Sequence, residues 1–321
     1  VTLHPVSEST YDFRQNQYAA IIFNASRAEV FSNFSELDKH TIQLHTFEDL
    51  VILTRNDLNT SNKETTPSEQ SYGWILNTSG TTGKPKEVGL THEVILRAAH
   101  YDLESHRLNA ADTVLIIMPM FHINAQELIV VSTLLSDGRL VIAPKFSASR
   151  FWQQVMENNV TWSSVVPTIV SILLKNKHAL AQFDPSNKLR FIRCASAMLP
   201  VSRHKKFIKK FGVPLLEGYG MTESCSQCTL NPLDNIKIGS VGKPYHTDVA
   251  ITAGNDFTDA PEVHGEIAIR GDHVITSYLD FHPDSFKDGW FLTGDLGYFD
   301  EEGYLWLEGR SKDCLLYTSD A

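Results

Sequence analysis

Cysteine is scarce in this sequence, four in 321 residues, too few and too scattered for a disulfide framework, which points to a reducing, cytoplasmic setting. Long apolar runs are missing as well. The longest, residues 114–123 and 128–135, fall well short of the roughly 20 residues of a spanning helix. His122, Asn124 and Glu127 interrupt them, so no membrane span is expected. Positive charge is the minority sign: 28 Lys and Arg stand against 38 Asp and Glu, a net charge of −10. General binding to nucleic acid or to an anionic membrane needs a clustered basic face, which this balance speaks against. Residues 1–15 are mixed and polar, unlike a secretory signal, and there is neither an internal repeat nor a low-complexity tract.

What remains is an ordinary globular composition, 42% hydrophobic and 21% charged, long enough for two domains or one large one with subdomains. Residues 1–55 hold short apolar runs (18–23, 50–53), and the polar segment 55–71 reads as a solvated connection. Strand-like runs then follow at 113–118, 139–143, 161–166 and 189–194, alternating with helix-length segments at 94–108, 125–136, 148–158 and 201–211. Strand, helix, strand at this spacing predicts βαβ units and a mostly parallel sheet. Past Pro214 Gly and Pro become frequent and strands short (249–252, 266–270); residues 296–299 and 304–307 flank a Gly-containing turn and predict an antiparallel hairpin. The expected fold is α/β: mostly parallel α/β sheets with helices (72–211), followed by a smaller, more antiparallel β part (214–309).

The segment Thr78-Ser79-Gly80-Thr81-Thr82-Gly83-Lys84-Pro85-Lys86 carries the densest chemistry. Glycines let a backbone turn tightly and bring its N–H groups to a bulky anion; hydroxyls and lysines add donors and positive charge for phosphate oxygens. It is not a Walker loop, because only two residues separate Gly80 from Gly83 and Lys84 precedes Pro. A rival site is Cys225-Ser226-Gln227-Cys228, half a zinc site or a redox pair. No second Cys or His pair stands at finger-like spacing, so these thiols read as buried small residues.

Residues 78–88 resemble the phosphate loop of the adenylate-forming superfamily, which includes acyl-CoA synthetases, luciferases and the adenylation domains of peptide synthetases. In that family's order follow Met118-Pro119-Met120-Phe121-His122-Ile123-Asn124-Ala125, Glu217-Gly218-Tyr219-Gly220-Met221-Thr222-Glu223-Ser224, Thr293-Gly294-Asp295 and Gly309-Arg310-Ser311-Lys312-Asp313. The resemblance implies ATP, Mg²⁺ and coenzyme A as partners and assigns roles along the chain. Thr78, Ser79, Thr81, Thr82 and Lys86 would hold the leaving phosphates, with Gly80 and Gly83 shaping the turn. Glu223 would coordinate Mg²⁺ and Thr222 would donate to the α-phosphate, which with Lys86 makes the catalytic set. Tyr219, between Gly218 and Gly220, would stack on adenine opposite Ala195, Ser196 and Ala197. Asp295 would accept from the ribose hydroxyls, and Arg310 would add a ribose or phosphate contact.

The acyl pocket would be lined by His122, Asn124, Gln126, Val166 and Gly220, with His122 a lining residue or gate. Where acetate-type relatives carry Trp, this chain has Gly220, which predicts room for a medium- or long-chain fatty acid. Gln126 and Asn124 instead suit a small polar or dicarboxylic acid such as oxalate. The expected activity is that of an acid–CoA ligase, with an adenylation domain loading a carrier protein as the alternative. On this reading residues 1–313 are the large AMP-binding domain, incomplete at its start, and Lys312 sits at the hinge. Residues 314–321 read as an atypical tail in place of the small C-terminal domain with its lysine, so activity is expected to be impaired.

Overall fold

A computed structural model describes residues 20–24, 37–42, 50–55, 68–78 and 85–311, the first three segments as strand backbone alone. The chain divides into two compact units, residues 2–68 and residues 69–321 with Val1. The smaller holds an antiparallel sheet of β1 (Ala20–Asn24), β2 (Leu37–Ile42) and β3 (Leu50–Arg55), with β3 in the middle. Residues 20–23 of the first apolar run and all of 50–53 thus fall on strands; residues 18–19 and most of the polar connection, residues 56–67, lie outside the described residues.

The larger unit opens with a hairpin, β4 (Tyr72–Thr78) and β5 (Lys86–Thr91), whose register pairs Thr78 with Lys86. Thr91 ends β5 and starts helix α1 (His92–Ser105): its hydroxyl accepts from the Val94 N–H at 3.2 Å, satisfying a donor the helix leaves open. Next come β6 (Thr113–Ile116), β7 (Arg139–Ile142), β8 (Trp162–Val165), β9 (Phe191–Cys194) and β10 (Leu215–Tyr219). They pair in parallel in the order β10-β9-β8-β6-β7, and β11 (Thr229–Leu230) and β12 (Lys243–Pro244) extend the β10 edge antiparallel. Every residue of β6, β8, β9 and β10 is buried, as expected of parallel strands covered on both faces.

The strands and helices expected between 94 and 211 are all present. The 125–136 segment, however, begins as a π-helix (Asn124–Val131) and turns α-helical only at α2 (Ser132–Leu135). Helices α3 (Phe151–Glu157) and α6 (Val201–Phe211) match expectation; α4 (Pro167–Lys175) and α5 (Lys177–Gln182) were not anticipated. Residues 160–174 are mostly apolar, so periodicity does not separate strand from helix there; Pro167 at the first helical turn makes the break.

The second sheet is antiparallel: β13 (Asp248–Ala253), β14 (Asp256–Thr258), β15 (Gly265–Arg270), β16 (Phe286–Lys287), β17 (Trp290–Phe299) and β18 (Leu305–Arg310), in the order β14-β13-β15-β17-β16 with β18 beside β17. Asp300 closes the β17–β18 turn by accepting from the N–H groups of Glu302 (2.9 Å) and Tyr304 (3.0 Å). One apolar core ties these parts together. Val88 and Leu90 of the hairpin, Tyr219 and Cys225 after the parallel sheet, and Ile251, Ile267 and Phe291 of the second sheet share a buried cluster. Among the described residues no helix is long and apolar enough to cross a membrane.

Candidate active site

In open α/β sheets ligands bind outside the carboxyl ends of the strands. The register here sets Val165 beside Cys194 and Cys194 beside Glu217, so β8 and β9 end level and β10 runs two residues beyond them. Val166 and residues 195–197 therefore leave the sheet side by side, next to Gly218 and Tyr219 at the end of β10 and residues 220–223 beyond it, and the Ala195 N–H donates to the Val165 carbonyl at 3.2 Å. Ala195 is buried, while Ser196 and Ala197 are exposed. Thr222–Ser224 form a single 3₁₀ turn, pinned where the Ile275 N–H donates to the Glu223 carbonyl at 2.9 Å.

The second sheet meets this rim at Asp295. The Tyr219 hydroxyl donates to Asp295 Oδ2 at 2.7 Å, and Arg310, the register partner of Asp295 on β18, donates from Nε to Oδ1 at 3.0 Å. Gly294 turns the strand here with φ of 75°, and its N–H donates to Glu266 Oε1 at 2.8 Å. Burial, then the nearby Asp295 carboxylate, pushes the Tyr219 phenol well above its ordinary value, so it stays a donor. Three residues read from separate motifs, Tyr219, Asp295 and Arg310, are thus one hydrogen-bonded group.

On the other side stands Lys86, the first residue of β5. Its Nζ donates to Ser285 Oγ at 3.0 Å and lies 4.6 Å from the centroid of the Tyr278 ring. The Tyr278 hydroxyl in turn donates to Glu223 Oε1 at 2.7 Å. Lys86 and Glu223 therefore flank one aromatic ring. Thr78 faces Lys86 across the hairpin; Ser79, Gly80, Thr81, Thr82, Gly83 and Lys84 lie outside the described residues. Tyr278, Asp280 and Ser285 drew no notice from the sequence, since their segment has no glycine and matches none of the motifs.

Mg²⁺ usually takes one or two carboxylates plus substrate phosphates instead of an all-protein cage. Among the described residues no group of three or more His, Cys, Asp or Glu is placed to hold a metal ion. A lone buried carboxylate at 223, held at one oxygen by a phenol, fits a cation shared with a phosphate.

The acyl-side candidates divide. Val166 caps α4, and His122 is exposed with its ring 4.3 Å from that of Phe121. Gln126 is buried in the π-helix and donates from Nε2 to the Met120 carbonyl at 2.8 Å, leaving its Oε1 and the Oδ1 of Asn124 buried without a partner. Gly220 corrects an expectation. A Cβ there would lie 1.8 Å from the Ser226 carbonyl oxygen, so the space a side chain would take is filled by backbone instead of opening a pocket. Cys225 and Cys228 are buried thiols; burial pushes Cys228 up to about 12 and raises Cys225 well above its ordinary value, which keeps both protonated.

With this geometry in view, the comparisons with known proteins agree on a class. The family described as AMP-binding enzyme matches residues 12–279, and the chain belongs to that family. It is 38% identical over 257 residues to the sulfoacetate–CoA ligase of Cupriavidus necator, covering 78% of this chain and 50% of that enzyme. It is likewise 38% identical to the oxalate–CoA ligase of Saccharomyces cerevisiae, covering 75% and 45%. Among solved structures, O-succinylbenzoate coenzyme A synthetase of Bacillus subtilis in complex with ATP and magnesium ion superposes with a TM-score of 0.70 at 30% identity, covering 77% of this chain and 52% of that one. The chain spans about half the length of the relatives it matches.

Proposed function

We propose that the chain forms most of the ATP- and acid-binding part of an ATP-dependent acid–CoA ligase. The observation that carries this reading is the convergence of Tyr219, Asp295 and Arg310 into one group, while Lys86 and Glu223 share Tyr278 at the same strand ends. Adenylation joins a carboxylate oxygen to the α-phosphorus of ATP and expels pyrophosphate; attack by the CoA thiol then expels AMP. Tyr219 would stack on the base beside residues 195–197. Asp295 would exchange its present donors for the ribose hydroxyls, and Arg310 would turn to the ribose or a phosphate. Lys86, with residues 78–83, would hold the departing pyrophosphate, where a fixed cation stabilises charge as it develops. Thr222 would donate to the α-phosphate. Glu223 would hold Mg²⁺, whose contribution is to neutralise charge on the phosphates.

For the acid, the reading favoured is a small polar or dicarboxylic acid over a medium- or long-chain fatty acid. The filled space beyond Gly220 and the amide groups of Asn124 and Gln126 support it, as do the sulfoacetate and oxalate ligases among the relatives. ATP–pyrophosphate exchange on the 321-residue chain with oxalate, sulfoacetate, malonate, octanoate and palmitate tests both parts. Exchange is expected with the short polar acids, at least roughly tenfold above the aliphatic ones, as one buried polar match can discriminate by that much. Exchange driven best by palmitate would overturn the choice of acid, and exchange with none of them, together with no binding of ATP, the activity itself.

A further inference from the structure

The segment between β15 and β16 carries none of the motifs, yet it touches both halves of the phosphate side. We propose that Tyr278 is the positioning residue that sets Lys86 and Glu223 at the separation a metal-bound nucleoside triphosphate requires; this rests on the nucleotide-binding reading above.

The phenol reaches Glu223 through its hydroxyl (2.7 Å) and Lys86 through its ring face (4.6 Å). Further hydrogen bonds tie the same segment to Glu87, the residue after Lys86, and to the backbone of Glu223. The Leu279 N–H donates to the Glu87 carbonyl at 2.9 Å, the Glu87 N–H donates to Asp280 Oδ1 at 3.2 Å, and the Ile275 N–H donates to the Glu223 carbonyl at 2.9 Å. The ring is packed in place: the residue is 7% exposed and its ring meets those of His282, Phe286 and Phe291 edge-on at 5.4, 5.9 and 6.1 Å between centroids. A buried aromatic needed only for packing would have no use for a hydroxyl; here that group is directed at a carboxylate. Holding one oxygen of Glu223 fixes the carboxylate plane and leaves the other for a cation, as groups behind a metal ligand commonly do. Holding Lys86 by the ring face and Ser285 leaves ammonium donors for phosphate oxygens.

Titration calorimetry of the 321-residue chain with ATP, once with excess Mg²⁺ and once with EDTA, tests this in wild type and Tyr278→Phe. Wild type is expected to bind ATP more tightly with Mg²⁺. Tyr278→Phe keeps its EDTA affinity within about twofold and loses roughly 10- to 100-fold in apparent Mg²⁺ affinity, the usual effect of removing a group behind a metal ligand. In a Glu223→Gln background the same change has no further effect, because the hydroxyl acts through that carboxylate. An unchanged Mg²⁺ response in Tyr278→Phe, or equal losses in both backgrounds, would overturn the proposal. So would a Tyr278→Phe chain without a cooperative thermal transition, which would make the hydroxyl a folding determinant. A wild type that binds no ATP in either buffer would overturn the nucleotide-binding reading itself.

Discussion

Arg310 and Gly220 show how differently two residues of the candidate site are held. The Arg310 side chain is 57% exposed, so its ion pair with Asp295 is worth at most about 1 kcal/mol of stability. Arg310→Ala is therefore expected to leave the urea midpoint nearly unchanged while weakening ATP binding in a fluorescence titration; a large midpoint shift with intact binding would give it a structural role instead. Gly220 behaves in the opposite sense. A methyl group there collides with the Ser226 carbonyl, so Gly220→Ala is expected to destabilise the chain by about 1–3 kcal/mol, read as a lower urea midpoint. An unchanged midpoint would mean that residues 226–227 yield without cost. Arg310 was singled out in the sequence because short segments such as Thr-Gly-Asp and Gly-Arg-Ser-Lys-Asp concentrate their chemistry within a few positions; residues 79–84 of the phosphate loop lie outside the described residues. Tyr278 was not singled out, because its acceptor lies 55 positions away and its chemistry exists only once the chain has folded. The filled space beyond Gly220 was hidden for the same reason: the sequence reveals that a side chain is missing, not what backbone approaches in its place.

Between elements, the least expected feature is a set of ionisable groups sealed between α1, the π-helix and β9. Asp102, Glu127 and Arg193 are all buried, with Asp102 Oδ2, both Glu127 oxygens and Arg193 Nε and Nη1 lacking hydrogen-bond partners. Burial pushes Asp102 up to about 7 against the pull of the Arg193 guanidinium, and burial together with Asp102 raises Glu127 well above its ordinary value. A carboxyl whose folded pKa is raised stabilises the fold fully below its unfolded value, near 3.8, and loses that contribution as pH rises through about 7. Nearby His106 works the other way: burial lowers it to about 3, so its contribution is present above 6.5 and lost as pH falls. The two slopes oppose each other between about pH 4 and 7, which makes a difference measurement the useful one. The stability of wild type relative to Asp102→Asn is expected to fall across that range by up to about 1.4 kcal/mol per pH unit, measured by urea unfolding at several pH values. Parallel curves would mean that Asp102 does not hold its proton in the fold. The parallel strands were readable as apolar runs, and the β17–β18 hairpin from its turn residues. The helix α4 was missed because residues 160–174 are mostly apolar and only Pro167 divides them.

In the larger unit as a whole, the site exists because one apolar core joins the hairpin that carries Lys86, the turn after β10 and the antiparallel sheet that carries Asp295. The parallel order β10-β9-β8 then sets three strand ends side by side beneath it. Lys312 and the tail that the sequence reading set apart at residues 314–321 lie outside the described residues. The central proposal is that the two groups in view, Tyr219 with Asp295 and Arg310, and Lys86 with Tyr278 and Glu223, serve one nucleotide. Equilibrium titration of ATP with Mg²⁺ against wild type, Lys86→Met and Asp295→Asn tests that most directly. It predicts a single ATP per chain and a loss of at least roughly tenfold in affinity from either substitution, the size expected for removing one charge-assisted contact. Saturable ATP binding that ignores both substitutions, or answers to only one of them, would contradict a shared site.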